Sequence, residues 1–251
     1  MNNPWLTLAS QTSNAQATLF CLPYAGGSSA IFHRWRVLLK DNIDLALVQL
    51  PGRGARFSEP AINDIELLSE QLFAAIRPHF SKPYFIFGHS MGGMLAYELV
   101  KRIEQAHLPM PQQLILSATR PPQVAYQDKT YHLPQAEFVE KLKTLNGTPD
   151  EILQNKELMA LLLPMLKADF ELAENFYQPS PTKIHCPTHV LCGTQDTRVP
   201  KKMLSKWSEV IAANCQFSEI PGGHLFLETA TEALLRVINT ELQAQLEKVS
   251  A

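Results

Sequence analysis

Cysteine is scarce in this 251-residue chain: Cys21, Cys186, Cys192 and Cys215 are all it has, and no two form a C-x-x-C pair. A disulfide framework or a zinc cluster is therefore excluded as the basis of the fold. Three of the four lie in or beside apolar runs and read as buried free thiols, which fits a reduced cytoplasm. An excess of one charge is also missing. Lys plus Arg is 22 against 24 for Asp plus Glu, a net charge of -2. No broad basic field exists to hold nucleic acid or an anionic membrane. No run of about 18 apolar residues is present to span a bilayer. The N-terminal stretch lacks the basic start and long apolar block of a secretory signal, so a cytoplasmic location is expected. Glycine is outnumbered by proline, 11 to 18, and the prolines prove to mark a boundary.

What is present is apolar residue, 45% of the chain, with only 18% charged. That is enough for a large core. ATLFCL (17–22), IDLALVQL (43–50), KPYFIFG (82–88), QQLILSA (112–118), PTHVLCG (187–193) and CQFSEI (215–220) read as strands. Their near-continuous apolar character fits strands covered on both faces. Helical patterns alternate with them. Ile65, Leu68, Leu72 and Ile76 fall on one stripe, Leu95, Leu99 and Ile103 on another, and Leu234, Leu235, Ile238 and Leu242 on a third. The alternation predicts an α/β domain with a mostly parallel sheet.

The alternation breaks once. Between SATR (117–120) and KIHCP (183–187) there is no convincing strand, only helical patterns through Phe138, Leu142 and Leu145 and then from Asp150 to about Tyr177. Pro121 and Pro122 precede this stretch, and Pro179 and Pro181 follow it. Residues 120–183 are therefore expected to be a helical insertion in a single domain spanning 1–251. It is either a plain set of covering helices or a lid over a site. Pro164 is expected to kink or split its long helix.

The densest chemistry lies in YFIFGHSMGGMLAYELV (84–100), where Gly88-His89-Ser90-Met91-Gly92 makes a G-x-S-x-G motif. A strand precedes the serine and an amphipathic helix follows it, the strand–turn–helix that such a nucleophile needs. Small neighbours let strand and helix approach, and the turn lifts the Ser90 hydroxyl above the sheet. The backbone N–H of Met91, at the helix start, is aimed at the same place and can hold an oxyanion.

A serine hydroxyl needs a base, and eight histidines compete. His224, in EIPGGHLFLE (219–228), follows a strand and a Pro-Gly-Gly turn that can present its ring over the strand ends. His89 sits in the nucleophile turn and should point away from the hydroxyl. His33, His79, His107, His132, His185 and His189 read as core or surface histidines. The orienting acid is best placed at Asp196, just past the C-terminal end of the HVLCG strand. Asp169 and Glu171, in the insertion, read otherwise as solvated charges. The order Ser90, Asp196, His224 is that of the α/β-hydrolases. A second donor for the oxyanion should come from the loop in FCLPYAGGSSAIFHRW (20–35), where Gly26 and Gly27 free the backbone and Ser28 or Ser29 caps a helical pattern. That loop has neither G-x-G-x-x-G nor a Walker lysine, so nucleotide binding is disfavoured.

LPYAGGS with Phe32 and Trp35, LPGRGAR (50–56), GHSMGG (88–93), GTQD (193–196) and PGGHLFL (221–227) together resemble the type II thioesterases of nonribosomal peptide and polyketide synthesis, over about residues 17 to 240. The resemblance implies an α/β-hydrolase fold with a helical lid at the insertion. It implies removal of stalled or wrong acyl groups from the phosphopantetheine arm of carrier proteins. It also implies a triad of Ser90, Asp196 and His224, and an oxyanion hole from the N–H groups of Ala25 and Met91. No metal or cofactor is implied, and a monomer is expected. Arg53 and Arg56 fit either bracing of their loop or contact with the arm's phosphate or an acidic carrier. Lys141 and Lys143 fit either a carrier contact or a solvated helix face. A general esterase, lipase or acyl-CoA thioesterase on the same scaffold is the alternative; a non-catalytic binding protein would be missing a triad member.

Overall fold

The computed structural model describes residues 3–10, 14–145 and 150–250. Parts of the N-terminal stretch read for a targeting signal, and residues 146–149 of the insertion, lie outside these. Seven strands form one sheet in the order β1-β3-β2-β4-β5-β6-β7. They are β1 (Leu6–Ser10), β2 (Ala17–Leu22), β3 (Ile43–Val48), β4 (Tyr84–His89), β5 (Gln113–Ser117), β6 (Thr188–Gly193) and β7 (Cys215–Ile220). All neighbours run parallel except β1, which pairs antiparallel with β3. β1 is absent from the sequence reading. It is a short edge strand with Leu8 at 42% exposure, so it carries no long apolar run to announce it.

The apolar strands divide their side chains between two cores, as the period-2 pleat requires. Phe20 and Leu22 of β2 and Ile86 of β4 face one cluster, with helices α1 (Ile65–Ile76) and α2 (Met91–Gln105) packed on it. Leu19, Cys21, Phe85 and Phe87 face the other, with Phe32 and Trp35 of a 3₁₀ helix at Ser29–Val37. Ser28 caps that helix, its hydroxyl accepting from the Ala30 N–H. Cys21, Cys186 and Cys192 are buried free thiols and Cys215 is half-buried.

The insertion contains α3 (Gln135–Leu145), α4 (Asp150–Gln154) and α5 (Lys156–Asn175). They share a small core of their own, including Phe138, Leu142, Met159, Leu163 and Phe170, and this core touches Ala25. The long helical pattern does not split at Pro164: α5 runs through it unbroken. Pro164 and Ala160, whose carbonyl loses its helical donor, both lie on the exposed side, where water can take the donor's place. The break comes instead at Asn155, whose side chain caps α5 by accepting from the Leu158 N–H at 3.0 Å. Arg120 ties the insertion to the end of β5. Its buried guanidinium donates to the Val124 carbonyl and, at 2.8 Å, to the Ala173 carbonyl on α5, and burial pushes its pKa down to about 10. After β6 come α6 (Lys201–Leu204), α7 (Phe226–Thr229) and α8 (Thr231–Ser250). No helix of the described residues is long and apolar enough to cross a membrane.

Candidate active site

β4 delivers the chain into a tight turn at Ser90, which has φ 55 and ψ -115. A non-glycine residue at positive φ is strained by about 1–3 kcal/mol and persists only where its surroundings fix it. Here the Ser90 N–H donates to the Ser117 carbonyl at 2.8 Å, and its carbonyl accepts from the Gly93 N–H at 3.0 Å. The turn needs unusually close packing. A Cβ on Gly92 would lie 2.3 Å from the Leu22 carbonyl oxygen, and one on Gly88 2.3 Å from the Gly92 oxygen.

The structure brings Ser90, His224 and Asp196 together across three strand ends. The Ser90 hydroxyl donates to His224 Nε2 at 3.0 Å, and His224 Nδ1–H donates to Asp196 Oδ2 at 2.8 Å. The carboxylate is fixed from its other side by the N–H groups of Arg198 (2.9 Å) and Val199 (3.0 Å) on Oδ1. Side-chain exposure is 8% for His224 and 0% for Asp196. Burial holds the imidazole below its ordinary pKa, the Asp196 hydrogen bond opposes this, and the Arg198 guanidinium adds to it. Burial pushes Asp196 up, but the His224 hydrogen bond and the two N–H donors outweigh it and hold the carboxyl below its ordinary value. The pair at neutral pH is thus a carboxylate and a neutral imidazole with Nε2 free to accept a proton.

His89 is the site residue that sequence reasoning missed. Its ring points away from the hydroxyl, as expected, but it is not merely a core histidine. Nε2 lies 2.9 Å from the His224 carbonyl oxygen and Nδ1 2.9 Å from Ser117 Oγ. A carbonyl only accepts, so Nε2 carries the proton and Nδ1 accepts from the Ser117 hydroxyl. Burial and the nearby His224 push its pKa down to about 3, so it stays neutral. It holds the backbone that carries the His224 ring. Tyr24 makes a parallel tie, donating its hydroxyl to Glu228 on α7.

A cavity of about 810 Å³, counting its open mouth, adjoins Ser90, His224 and Ala25. Leu142 and Leu145 of α3 and Phe170 and Ala173 of α5 supply apolar wall. The insertion therefore covers the site. Among the described residues, neither the Ala25 N–H nor the Met91 N–H has a protein acceptor.

The other candidates lie elsewhere. Arg53 and Arg56 are 4% and 6% exposed. Arg53 pairs with Asp169. Arg56 pairs with Glu59, donates to the Gln49 carbonyl and stacks 4.0 Å over the Trp5 ring. Both brace their loop, and neither offers a free guanidinium to a phosphate. Asp169 is buried, contrary to its reading as a solvated charge, because Arg53 pairs with it; Glu171 accepts from Asn63 at 2.7 Å. Lys141 and Lys143 are exposed on α3, the latter paired with Glu140. His189 is buried against Ser218, and His185 is exposed against Glu104. No cluster of metal-ligating side chains occurs among the described residues.

Comparison with known proteins gives the family. The family described as "Thioesterase domain" matches residues 17–242. Linear gramicidin dehydrogenase LgrE of Brevibacillus parabrevis is 34% identical, the match covering 96% of this chain and 94% of that protein. Gramicidin S biosynthesis protein GrsT of Aneurinibacillus migulanus is 32% identical over 97% of this chain and 96% of that one. The type II thioesterase BorB from the borrelidin biosynthetic cluster superposes with a TM-score of 0.85 at 32% identity, covering 96% of this chain and 97% of that structure. The chain belongs to the thioesterase domain family and is a serine hydrolase of thioesters on an α/β-hydrolase fold.

Proposed function

We propose that the chain is an editing thioesterase that clears stalled or aberrant acyl groups from the phosphopantetheine arm of carrier proteins, with Ser90 as nucleophile, His224 as base and Asp196 as its orienting acid. The observation that carries the reading is the continuous relay from Ser90 Oγ to His224 to Asp196 at 3.0 and 2.8 Å, set beside an apolar cavity roofed by the insertion.

Ser90 attacks the thioester carbonyl while His224 Nε2 takes its proton. The oxyanion is held by the N–H groups of Ala25 and Met91, one such donor being worth about 3 kcal/mol. The arm's thiolate leaves and takes a proton from His224, leaving an acyl-serine. Water, deprotonated by His224, attacks the acyl carbonyl; the Ser90 oxygen leaves and takes that proton back from His224, which releases the carboxylic acid. Asp196 stabilises the imidazolium in both steps. The reading requires no metal or diffusible cofactor. Its partner is an acyl or peptidyl carrier domain, met in the cytoplasm by a monomer.

The name of LgrE suggests hydride transfer instead. Against that, the loop after β2 reads LPYAGGS (22–28) rather than a dinucleotide fingerprint, and the relay is built for acyl transfer.

The test is a panel of acyl groups on one phosphopantetheinylated carrier, on coenzyme A and as aryl esters. Short acyl groups on the carrier should give the highest kcat/KM. Equal or higher values on aryl esters would make this a general esterase, and preference for a full-length chain would make it a product-releasing enzyme. Ser90→Ala should fold normally and lose about 10⁴-fold or more in kcat; retained turnover removes Ser90 from the mechanism.

A further inference from the structure

The loop that offers the Ala25 N–H is gripped from the insertion. Asp169 lies on α5 and is 1% exposed. Its Oδ1 accepts from Arg53 Nη2 at 2.7 Å. Its Oδ2 accepts from Arg53 Nη1 at 2.5 Å and from the backbone N–H of Gly26 at 2.7 Å. Arg53 Nη1 also reaches the Gly27 carbonyl at 3.2 Å, and its Nε the Pro51 carbonyl at 3.2 Å. The two ends of the Gly26–Gly27 segment are thus held by one ion pair, through a donor and an acceptor.

Packing reinforces the grip. Gly26 sits at φ +83, and a Cβ there would come within 2.7 Å of Leu166 Cδ2, one turn before Asp169 on α5. The loop backbone therefore rests directly on the helix, and a side chain at Gly26 would push them apart. Phe170 and Ala173, on the same turns of α5, line the acyl cavity. One helix both walls the cavity and sets the loop that faces the substrate carbonyl.

We propose that Asp169 is a positioning residue for the oxyanion hole: by holding the Gly26 N–H, it fixes the preceding Ala25 N–H in line with that of Met91, so the hole is complete only while α5 is docked. The inference rests on acyl transfer at Ser90. The insertion is then more than a cover. An acyl group that moves α5 outward loosens the oxyanion donor as it does so, and one that lets α5 stay seated keeps the donor in place. Selection against bulky acyl groups falls on kcat as well as on binding.

The test compares Asp169→Asn with Arg53→Lys, each with kcat expressed per site titrated with a fluorophosphonate. Both variants disturb the ion pair, but Arg53→Lys keeps a carboxylate on the Gly26 N–H. Asp169→Asn should lose kcat on the order of 10- to 100-fold with KM little changed. Affinity for an alkyl trifluoromethyl ketone, which forms a tetrahedral adduct with the serine, should fall by the same factor. Affinity for the matching non-cleavable thioether should not fall. Arg53→Lys should lose stability with a clearly smaller drop in kcat. Equal kcat losses in the two variants, or unchanged ketone affinity in Asp169→Asn, would reduce the pair to a brace and overturn the proposal. If Asp169→Asn does not fold because it leaves Arg53 buried without its partner, the double variant Asp169→Asn with Arg53→Gln, which buries no lone charge, carries the same paired readouts, with the same outcomes deciding. Ser90→Ala is run alongside. Full turnover there sinks acyl transfer at Ser90 itself, whatever the Asp169 variants do.

Discussion

In the proposed relay His224 has to be neutral to accept the Ser90 proton, so its titration sets the acid side of the rate profile. Burial is the main cause holding its pKa below the ordinary imidazole value, with the Arg198 guanidinium acting in the same direction and Asp196 against both. The charged groups facing the ring are therefore Asp196 and Arg198, and His89 beside it stays neutral. The acid limb of kcat/KM, which reports the free enzyme, should lie below the ordinary imidazole pKa of about 6.5. Replacing Arg198 by Gln removes a cause that disfavours the imidazolium. The limb should then move to higher pH, with the alkaline plateau of kcat little changed; a pH–rate series on a small thioester reads this, and an unmoved limb would show that Arg198 does not act on His224. At this scale the sequence was informative where a residue's role follows from its own strand end. Ser90, Asp196 and His224 each follow a strand, and that alone brings them to one edge of the sheet. His89 and Asp169 were illegible for the opposite reason. Their meaning lies in partners 135, 143 and 116 residues away, namely the His224 carbonyl, the Gly26 N–H and Arg53.

At the scale of elements, the approach of α2 to β2 and β4 decides whether the serine turn can exist. Gly92 meets the Leu22 and Pro23 carbonyl oxygens, and a Cβ on Gly93 would lie 1.9 Å from Thr119 Oγ1. The obstacle at Gly93 is the Thr119 side chain, whose Oγ1 can turn away but whose Cβ, 2.8 Å off, moves only with its backbone. The obstacles at Gly92 are backbone and cannot turn away. Gly92→Ala should therefore cost about 3 kcal/mol or more, the upper range for overpacking, and should displace the Met91 N–H with it. Gly93→Ala should also be costly, because Thr119 is buried, stiff at χ1 and bonded to the Ser117 carbonyl. Thermal unfolding of the two variants reads both losses, and a Gly92→Ala protein as stable as the native chain would refute the backbone-clash argument. β2 to β6 were readable as apolar runs because both of their faces are covered; β7, an edge strand with Gln216, Phe217 and Glu219 exposed, was readable without such cover. β1 was not, since an edge strand paired on one side needs few apolar residues. The continuity of α5 through Pro164 was unreadable for a related reason: a proline is tolerated in a helix when its orphaned carbonyl faces water, and which face is wet is a tertiary fact.

Across the whole molecule, one buried histidine ties the Ser90 turn to the loop that carries His224 and so couples stability to pH. The folded-state pKa of His89 is about 3, lowered chiefly by burial and then by His224, against about 6.5 in the unfolded chain. A group with a depressed folded pKa contributes stability that is fully present above the unfolded value and is lost as pH falls toward the folded one. Below pH 6.5 the unfolded chain binds a proton that the native state refuses. By pH 5 this single group should have removed about 2 kcal/mol relative to pH 8. His89→Gln places an amide N–H near the position of Nε2, where it can still donate to the His224 carbonyl, and has nothing to titrate. Its stability at pH 8 should be somewhat lower than that of the native chain, because the Ser117 hydroxyl loses its acceptor. Between pH 8 and pH 5, however, it should fall by about 2 kcal/mol less. Urea unfolding of both proteins at the two pH values measures the difference directly, and His189 and His224, present in both, cancel from it. Parallel pH profiles would mean that His89 is protonated in the native protein, and its bond to the His224 carbonyl would then have to be a charged one.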